Sequence, residues 1–155
     1  MLSQTTEYAL RAMSYLAYMP DRLTSTGELA EYTKVPANYL AKVLQLLSKA
    51  DLVTGRRGVG GGYQLARSAE EISLLDVINS IDPIRPITAC PLGLENHGGA
   101  LCPLHKKLDE AARTMIGVFE GITLMDILTE LGSSRPLCNT EMTEKIEITF
   151  EKPRG

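Results

Sequence analysis

The stretch that most restricts how this chain can fold is Gly55-Arg56-Arg57-Gly58-Val59-Gly60-Gly61-Gly62, set between two short strand-like runs, Leu52-Val53-Thr54 and Tyr63-Gln64-Leu65. Two such runs around a glycine-rich connection predict a β-hairpin, here with two guanidiniums at its tip. Glycine lets that tip approach another backbone closely, and arginine reaches phosphate. A nucleotide-binding loop is the competing use of these glycines. That use is rejected, because the run lacks a Gly-Lys-Ser/Thr ending and the strand-to-helix context of a phosphate loop.

What precedes the hairpin reads as three helices. Ala9, Ala12, Met13, Leu16 and Ala17 follow helical spacing from about Thr5 to Met19, and Pro20-Asp21 ends the run. Ser25-Thr26-Gly27-Glu28 has the form of a capping box and predicts a short helix from Thr26 to about Thr33. Val35 then leads into Pro36, which suits the first turn of a further helix ending near Ala50. Leu40, Val43, Leu44 and Leu47 form the buried stripe of this third helix. Its other face carries Ala37, Asn38, Ala41, Lys42, Gln45 and Lys49, residues that are small, amide-bearing or basic.

Charge supports a use for that face. The chain has a formal net charge of -3, which argues against indiscriminate binding to nucleic acid. Yet from Lys34 to Arg67 there are six basic residues against one acid, leaving ten basic and eighteen acidic elsewhere. A capped helix, a tight turn, an amphipathic helix and a basic hairpin in succession predict a winged helix-turn-helix. The helix would enter the major groove with Asn38, Lys42 and Gln45, flanked by Lys34 and Ala37. Arg56 and Arg57, with Gly58 and Gly60, would reach phosphates or a narrow minor groove. Singly, each of these residues also suits a solvated surface. Their order is what favours DNA.

Beyond the hairpin, Leu74, Val77, Ile78 and Ile81 line one side of a helix stopped by Asp82-Pro83. Residues 83–102 hold three prolines, two adjacent glycines and two of the three cysteines, and read as a loop. Pro103 opens a longer helix with Leu104, Leu108, Ala111, Ala112, Met115 and Phe119 as a continuous apolar stripe up to Gly121. A small winged domain cannot cover that stripe alone, so a second subunit is its natural cover. Thr123 starts a turn-rich segment ending at Leu131-Gly132, and a polar tail follows. The expected fold class is therefore mainly α with a small β-hairpin wing. The expected organisation is a winged helix-turn-helix at 1–82, a cysteine-containing sensor loop at 83–102, a dimerisation helix region at 103–132 and a polar tail at 133–155.

Three cysteines are too few for a disulfide scaffold and suit a reducing compartment. No window approaches the roughly 20 apolar residues of a membrane span. No N-terminal basic-then-apolar leader is present either, so a cytoplasmic protein with no membrane partner is expected. Cys102 and His105 are three residues apart at the start of a helix, on one side of its first turn, beside the positive end of its dipole. Cys90 could fold back to complete a three-ligand set. Thiolate and imidazole donors suit an iron-sulfur centre or zinc. The same residues also suit a small apolar pair and a hydrogen-bonded helix cap, and Cys138 is taken as incidental.

Tyr8-Ala9-Leu10-Arg11-Ala12-Met13, Leu29-Ala30, Tyr39-Leu40, Leu52-Val53, Arg57-Gly58-Val59-Gly60-Gly61-Gly62-Tyr63 and Leu74-Leu75-Asp76-Val77-Ile78 together resemble the IscR/NsrR-type family of bacterial regulators, over about residues 1–131. The resemblance implies a winged-helix homodimer that binds partly palindromic operator DNA, often with an iron-sulfur cluster that sets DNA affinity. Cluster-bearing relatives usually hold three cysteines in the loop, and some use a histidine in the place of His105. This chain lacks the middle cysteine; Asn96 and His97 stand near its position. Other relatives take a carboxylate from the first helix of the opposite subunit, where Glu7 stands here. The resemblance thus implies a mixed site of Cys90, Cys102, His105 and Glu7, with His97 a further candidate, holding a cluster of the 2Fe-2S type.

Two other readings use the same cysteines. One keeps DNA binding and replaces the cluster by zinc, by a thiol-disulfide switch between Cys90 and Cys102, or by a small ligand. The other is a metal-dependent enzyme or cluster-transfer protein, opposed by the lack of a nucleophile-base pair or substrate motif nearby. The expectation is a regulator, a repressor by preference, without catalytic activity.

Overall fold

The first helix, α1 (Gln4–Tyr18), starts where the Ser3 hydroxyl accepts the Thr6 N–H and stops before Pro20. It is the hub of the molecule. The computed structural model describes residues 2–93, 100–130 and 136–137. Every residue from Ala12 to Met19 is buried, beyond the single stripe that spacing predicts. The reason is tertiary, since α1 is packed by α2 (Thr26–Thr33), α3 (Ala37–Lys49), α4 (Leu74–Ile81) and α6 (Leu124–Thr129). Ser14 tolerates this burial because its hydroxyl donates to the Leu10 carbonyl at 2.8 Å.

The α2 cap departs from the predicted box. Ser25 accepts the Glu28 N–H, but the Glu28 carboxylate pairs with Arg22 and accepts the Tyr15 hydroxyl at 2.6 Å. Burial, with Glu28 beside it, pushes the Tyr15 phenol well above its usual range. Lys34 then turns the chain with φ +56°, and Pro36 occupies the cap position of α3 rather than its first turn. Leu40, Val43, Leu44 and Leu47 are buried as the stripe predicts.

Two antiparallel strands follow, β1 (Val53–Arg56) and β2 (Gly62–Leu65), paired from Val53–Leu65 to Arg56–Gly62. On its far side β2 is tied to the turn before α2, where Thr24 and Tyr63 exchange two backbone hydrogen bonds of 2.8 Å. The hairpin is thereby locked to the helical body.

A complete capping box, Ser73 with Asp76, starts α4, whose Val77 and Ile78 are buried. Ahead of α5 (Pro103–Glu120), the loop is pinned by the Ile84 N–H on Asn79 and the Ile87 N–H on Asp109. The segment expected to be turn-rich from Thr123 contains a capped helix, α6. Backbone pairing of Ile122 and Leu124 with Leu74 and Ile72 holds it against the body. With helices around a two-stranded hairpin, the fold is mainly α and is a winged helix-turn-helix followed by a long helix. Among the described residues no helix is long and apolar enough to cross a membrane.

Candidate nucleic-acid interface and cysteine site

Burying the leucine stripe of α3 leaves Ala37, Asn38, Ala41, Lys42, Gln45 and Lys49 all exposed, with Lys34 exposed in the turn before it. The N-terminal end of α3 is braced from α1. Tyr8 meets Tyr39 edge-on at 5.9 Å, Arg11 lies over the Tyr8 ring, and Arg11 Nη1 donates to the Thr33 carbonyl at 3.3 Å. Tyr39 is 46% exposed beside the polar face, so it joins the candidate surface. Sequence reading passed over it as part of a family signature; an aromatic flanking Asn38 was the available signal.

The hairpin presents Arg56, Arg57, Gly58 and Gly60 to solvent. Positive φ at Gly58 and Gly60, +94° and +72°, makes the tip turn back, and Gly61 N–H closes it on the Gly58 carbonyl at 3.0 Å. Arg56 Nη2 donates to the Gly60 carbonyl at 3.3 Å, so the tip holds that guanidinium in place. Val59 stands fully exposed between the glycines, where an apolar side chain gains nothing from water. An apolar tip of this kind can press into a minor groove, a role that reading the run for its charges alone overlooked.

Cys102 occupies the N-cap position of α5, without a side-chain cap hydrogen bond, and Pro103 takes the first helical position. The predicted geometry is present: Cys102 Sγ and His105 Nδ1 are 3.2 Å apart, and both side chains are half-buried. Cys90 is a half-buried free thiol in a turn closed by the Gly93 N–H on its carbonyl. Among the described residues no three of His, Cys, Asp and Glu come together as a metal site, so Cys90 does not join the pair in this conformation. The donor chemistry fits a soft or borderline metal at Cys102 and His105. A full ligand set requires the loop to carry Cys90 inward. Glu7 projects from α1 with its carboxylate on the Arg11 guanidinium at 2.9 Å, so ligation by Glu7 means giving up that pair. His97 and Cys138 lie outside the described residues.

Among the described residues, nothing covers one face of α5. Leu104, Leu108 and Val118 are 64%, 49% and 51% exposed, Ala111 is exposed, and Met115 and Phe119 are half-buried; only Ala112 is buried. The stripe predicted for this helix is present and points largely to solvent.

A family model described as Rrf2, iron-dependent transcriptional regulator, matches residues 2–130. Among solved structures, CymR of Staphylococcus aureus is 28% identical, with a TM-score of 0.65 over 84% of this chain and 100% of that one. IscR of T. potens is 24% identical, with a TM-score of 0.69 over 86% and 93%. The global cysteine regulator CymR (YrzC) of B. subtilis is also 24% identical, with a TM-score of 0.70 over 85% and 98%.

Proposed function

The chain belongs to the Rrf2 family of transcriptional regulators, and from that premise we propose that it is a cytoplasmic homodimeric repressor whose operator affinity is set at the cysteine loop. One observation carries the reading: the exposed Asn38, Lys42 and Gln45 of α3 stand with the arginine-bearing hairpin on a body that is locked beneath both. A rigid helix that reads base edges and a hairpin that grips the backbone are what duplex recognition requires. Residues 1–82 form the DNA-binding part, 83–102 the sensor loop, 103–132 the dimerisation region and 133–155 a tail. Dimerisation through the uncovered face of α5 sets two recognition helices at a fixed spacing, so the operator is partly palindromic.

The cofactor proposed for the loop is an iron-sulfur cluster of the 2Fe-2S type, held by Cys90, Cys102 and His105, with Glu7 of the opposite subunit as fourth donor. Such a group supplies charge and redox state that differ between its forms. The protein's own part is to hold Cys102 and His105 together at the head of α5 and to bring Cys90 to them. A second reading is favoured by the two-donor site: zinc or thiol chemistry without iron. Similarity to CymR of S. aureus, solved also in an oxidized form, supports it.

Anaerobic purification followed by the visible spectrum and iron, sulfide and zinc analysis separates the two. Selection from a random duplex library with the same preparation tests the regulator itself. Iron with equimolar sulfide, lost in Cys102→Ser and His105→Ala, and enrichment of a two-fold symmetric site are expected. A colourless protein that resists reconstitution removes the cluster. No enriched sequence removes operator recognition.

A further inference from the structure

Between the first turn of α2, Ser48 near the end of α3 and the hairpin residues 55–58 and 61–63 lies a cleft of about 510 Å³. Its charged lining residues are Arg56 and Arg57, and its hydroxyl-bearing ones are Ser25, Thr26, Ser48 and Tyr63; among the described residues no acidic one lines it. Neither arginine is in an ion pair among the described residues. Glu28, the acid of the same helical turn, is already neutralised by Arg22 and bonded by Tyr15. The cleft is therefore a cationic, donor-rich space with no anion of its own.

From the helical side, donors converge as well. Ser25 Oγ accepts the Glu28 N–H, which leaves its own proton to donate outward. The N–H groups of Thr26 and Gly27 belong to the first turn, which has no carbonyl one turn back to bond them. Among the described residues a Cβ placed on Gly27 would meet only Ser25 Oγ, at 4.0 Å, and nothing there blocks the approach to those N–H groups. Opposite them the hairpin cannot retreat, because the Thr24–Tyr63 backbone pair ties its root to the residue before Ser25.

We infer that this cleft holds one backbone phosphate of the bound duplex, clamped between the α2 end at Ser25 and Thr26 and the guanidiniums of Arg56 and Arg57. The inference rests on the DNA-binding reading and deepens it. It gives Arg56 and Arg57 a specific partner and adds Ser25, Thr26 and Ser48 to the interface. A phosphate here fixes the register of α3 in the neighbouring groove and carries no sequence information itself. The contact is sequence-independent.

Thr26→Glu tests it in the full chain. A carboxylate in the first turn suits the helix dipole, so the variant keeps its thermal midpoint while it repels phosphate. Binding to a duplex of arbitrary sequence, followed by fluorescence anisotropy over a salt series, reads the contact directly. The slope of log affinity against log salt is expected to fall by about 0.9 per subunit in Thr26→Glu and likewise in Arg57→Gln. The operator preference encoded by Asn38 is expected to stay unchanged. An unaltered slope in a folded Thr26→Glu variant, with wild type binding the duplex, overturns the clamp and leaves the regulator standing. Wild type that binds no duplex at any salt overturns both. Inorganic phosphate that alone raises the thermal midpoint of wild type but not of Thr26→Glu assigns the cleft to a free anion and overturns the duplex contact.

Discussion

Replacing Gly62 with alanine is expected to detach the hairpin from the helical body. Gly62 has φ +153°, and a Cβ there would lie 2.4 Å from the Thr24 carbonyl oxygen, 2.6 Å from its carbon and 3.0 Å from the Ser25 nitrogen. All three atoms are backbone, so no side chain can swing aside. If the strand stays, strained backbone costs about 1–3 kcal/mol. If it leaves, the two Thr24–Tyr63 hydrogen bonds go, at about 0.5–1.5 kcal/mol each. Either way the loss is about 2 kcal/mol. With a urea dependence of about 1–3 kcal/mol per molar, the midpoint should fall by roughly 1 M, measured by circular dichroism at one fixed protein concentration. Gly58→Ala is the control, because nothing lies within 4 Å of its added Cβ and only the φ of +94° is penalised, by about 1–2 kcal/mol. DNA affinity should drop at least tenfold in Gly62→Ala, since Arg56 and Arg57 lose their fixed position. A Gly62→Ala protein that unfolds at the wild-type midpoint, or later than Gly58→Ala, refutes the reasoning.

Other perturbations probe separate parts of the molecule. Leu108→Glu puts a charge in the middle of the uncovered α5 face, 49% exposed in the single chain, and should shift sedimentation from dimer to monomer without loss of helicity; a variant that remains dimeric places the interface elsewhere. Asp51 has φ +54° just after α3, a left-handed position and an acid at a helix C-terminus. Asp51→Gly should therefore stabilise by about 1 kcal/mol and raise the melting temperature by about 2–4 °C; a lower melting temperature contradicts it. Hydrogen bonds from the Thr123 N–H and hydroxyl hold the Asp126 carboxyl below its usual 3.8. Its contribution is thus complete above that pH and lost as pH falls below it, and Asp126→Asn should flatten the acid limb of stability; an unchanged limb removes the assignment.

What could be read from the sequence was local. The α3 stripe, the helix-turn-helix and the hairpin follow from residue spacing, from Pro36 and from the glycine-arginine run, all decided within a few positions. Cys102 and His105 were paired for the same reason, since i, i+3 residues share a helix face. Spacing alone makes Glu28 half of a capping box, whereas its actual partners, Tyr15 and Arg22, come from another helix and a loop. The α6 segment looked turn-rich because six residues carry a weak periodic signal, and what holds it is long-range pairing of residues 122–125 with 69–74. All-round burial of α1 depends on how many neighbours surround it, and Cys90 depends on the course of a loop. Neither quantity is written in local spacing.

The arrangement of α5 limits how any ligand at the cysteine loop can act on DNA. Its C-terminal end is stitched to the body where the Leu74 N–H meets the Ile122 carbonyl at 2.8 Å and the Leu124 N–H meets that of Ile72 at 2.9 Å. The helix packs on α4, and nearer its N-terminus Asp109 accepts the Ile87 N–H from the loop. Cys102 and His105 lie on the same two turns as the exposed Leu104 and Leu108. A ligand that draws Cys90 toward Cys102 therefore reshapes the loop against the very surface proposed to meet the second subunit, while the far end of α5 stays fixed. Such a ligand biases DNA binding only by its difference in affinity between two arrangements. In the proposed dimer those arrangements would differ first in how the subunits meet, and α4, which packs on α5, α1 and α3, is the element that links that surface to α3.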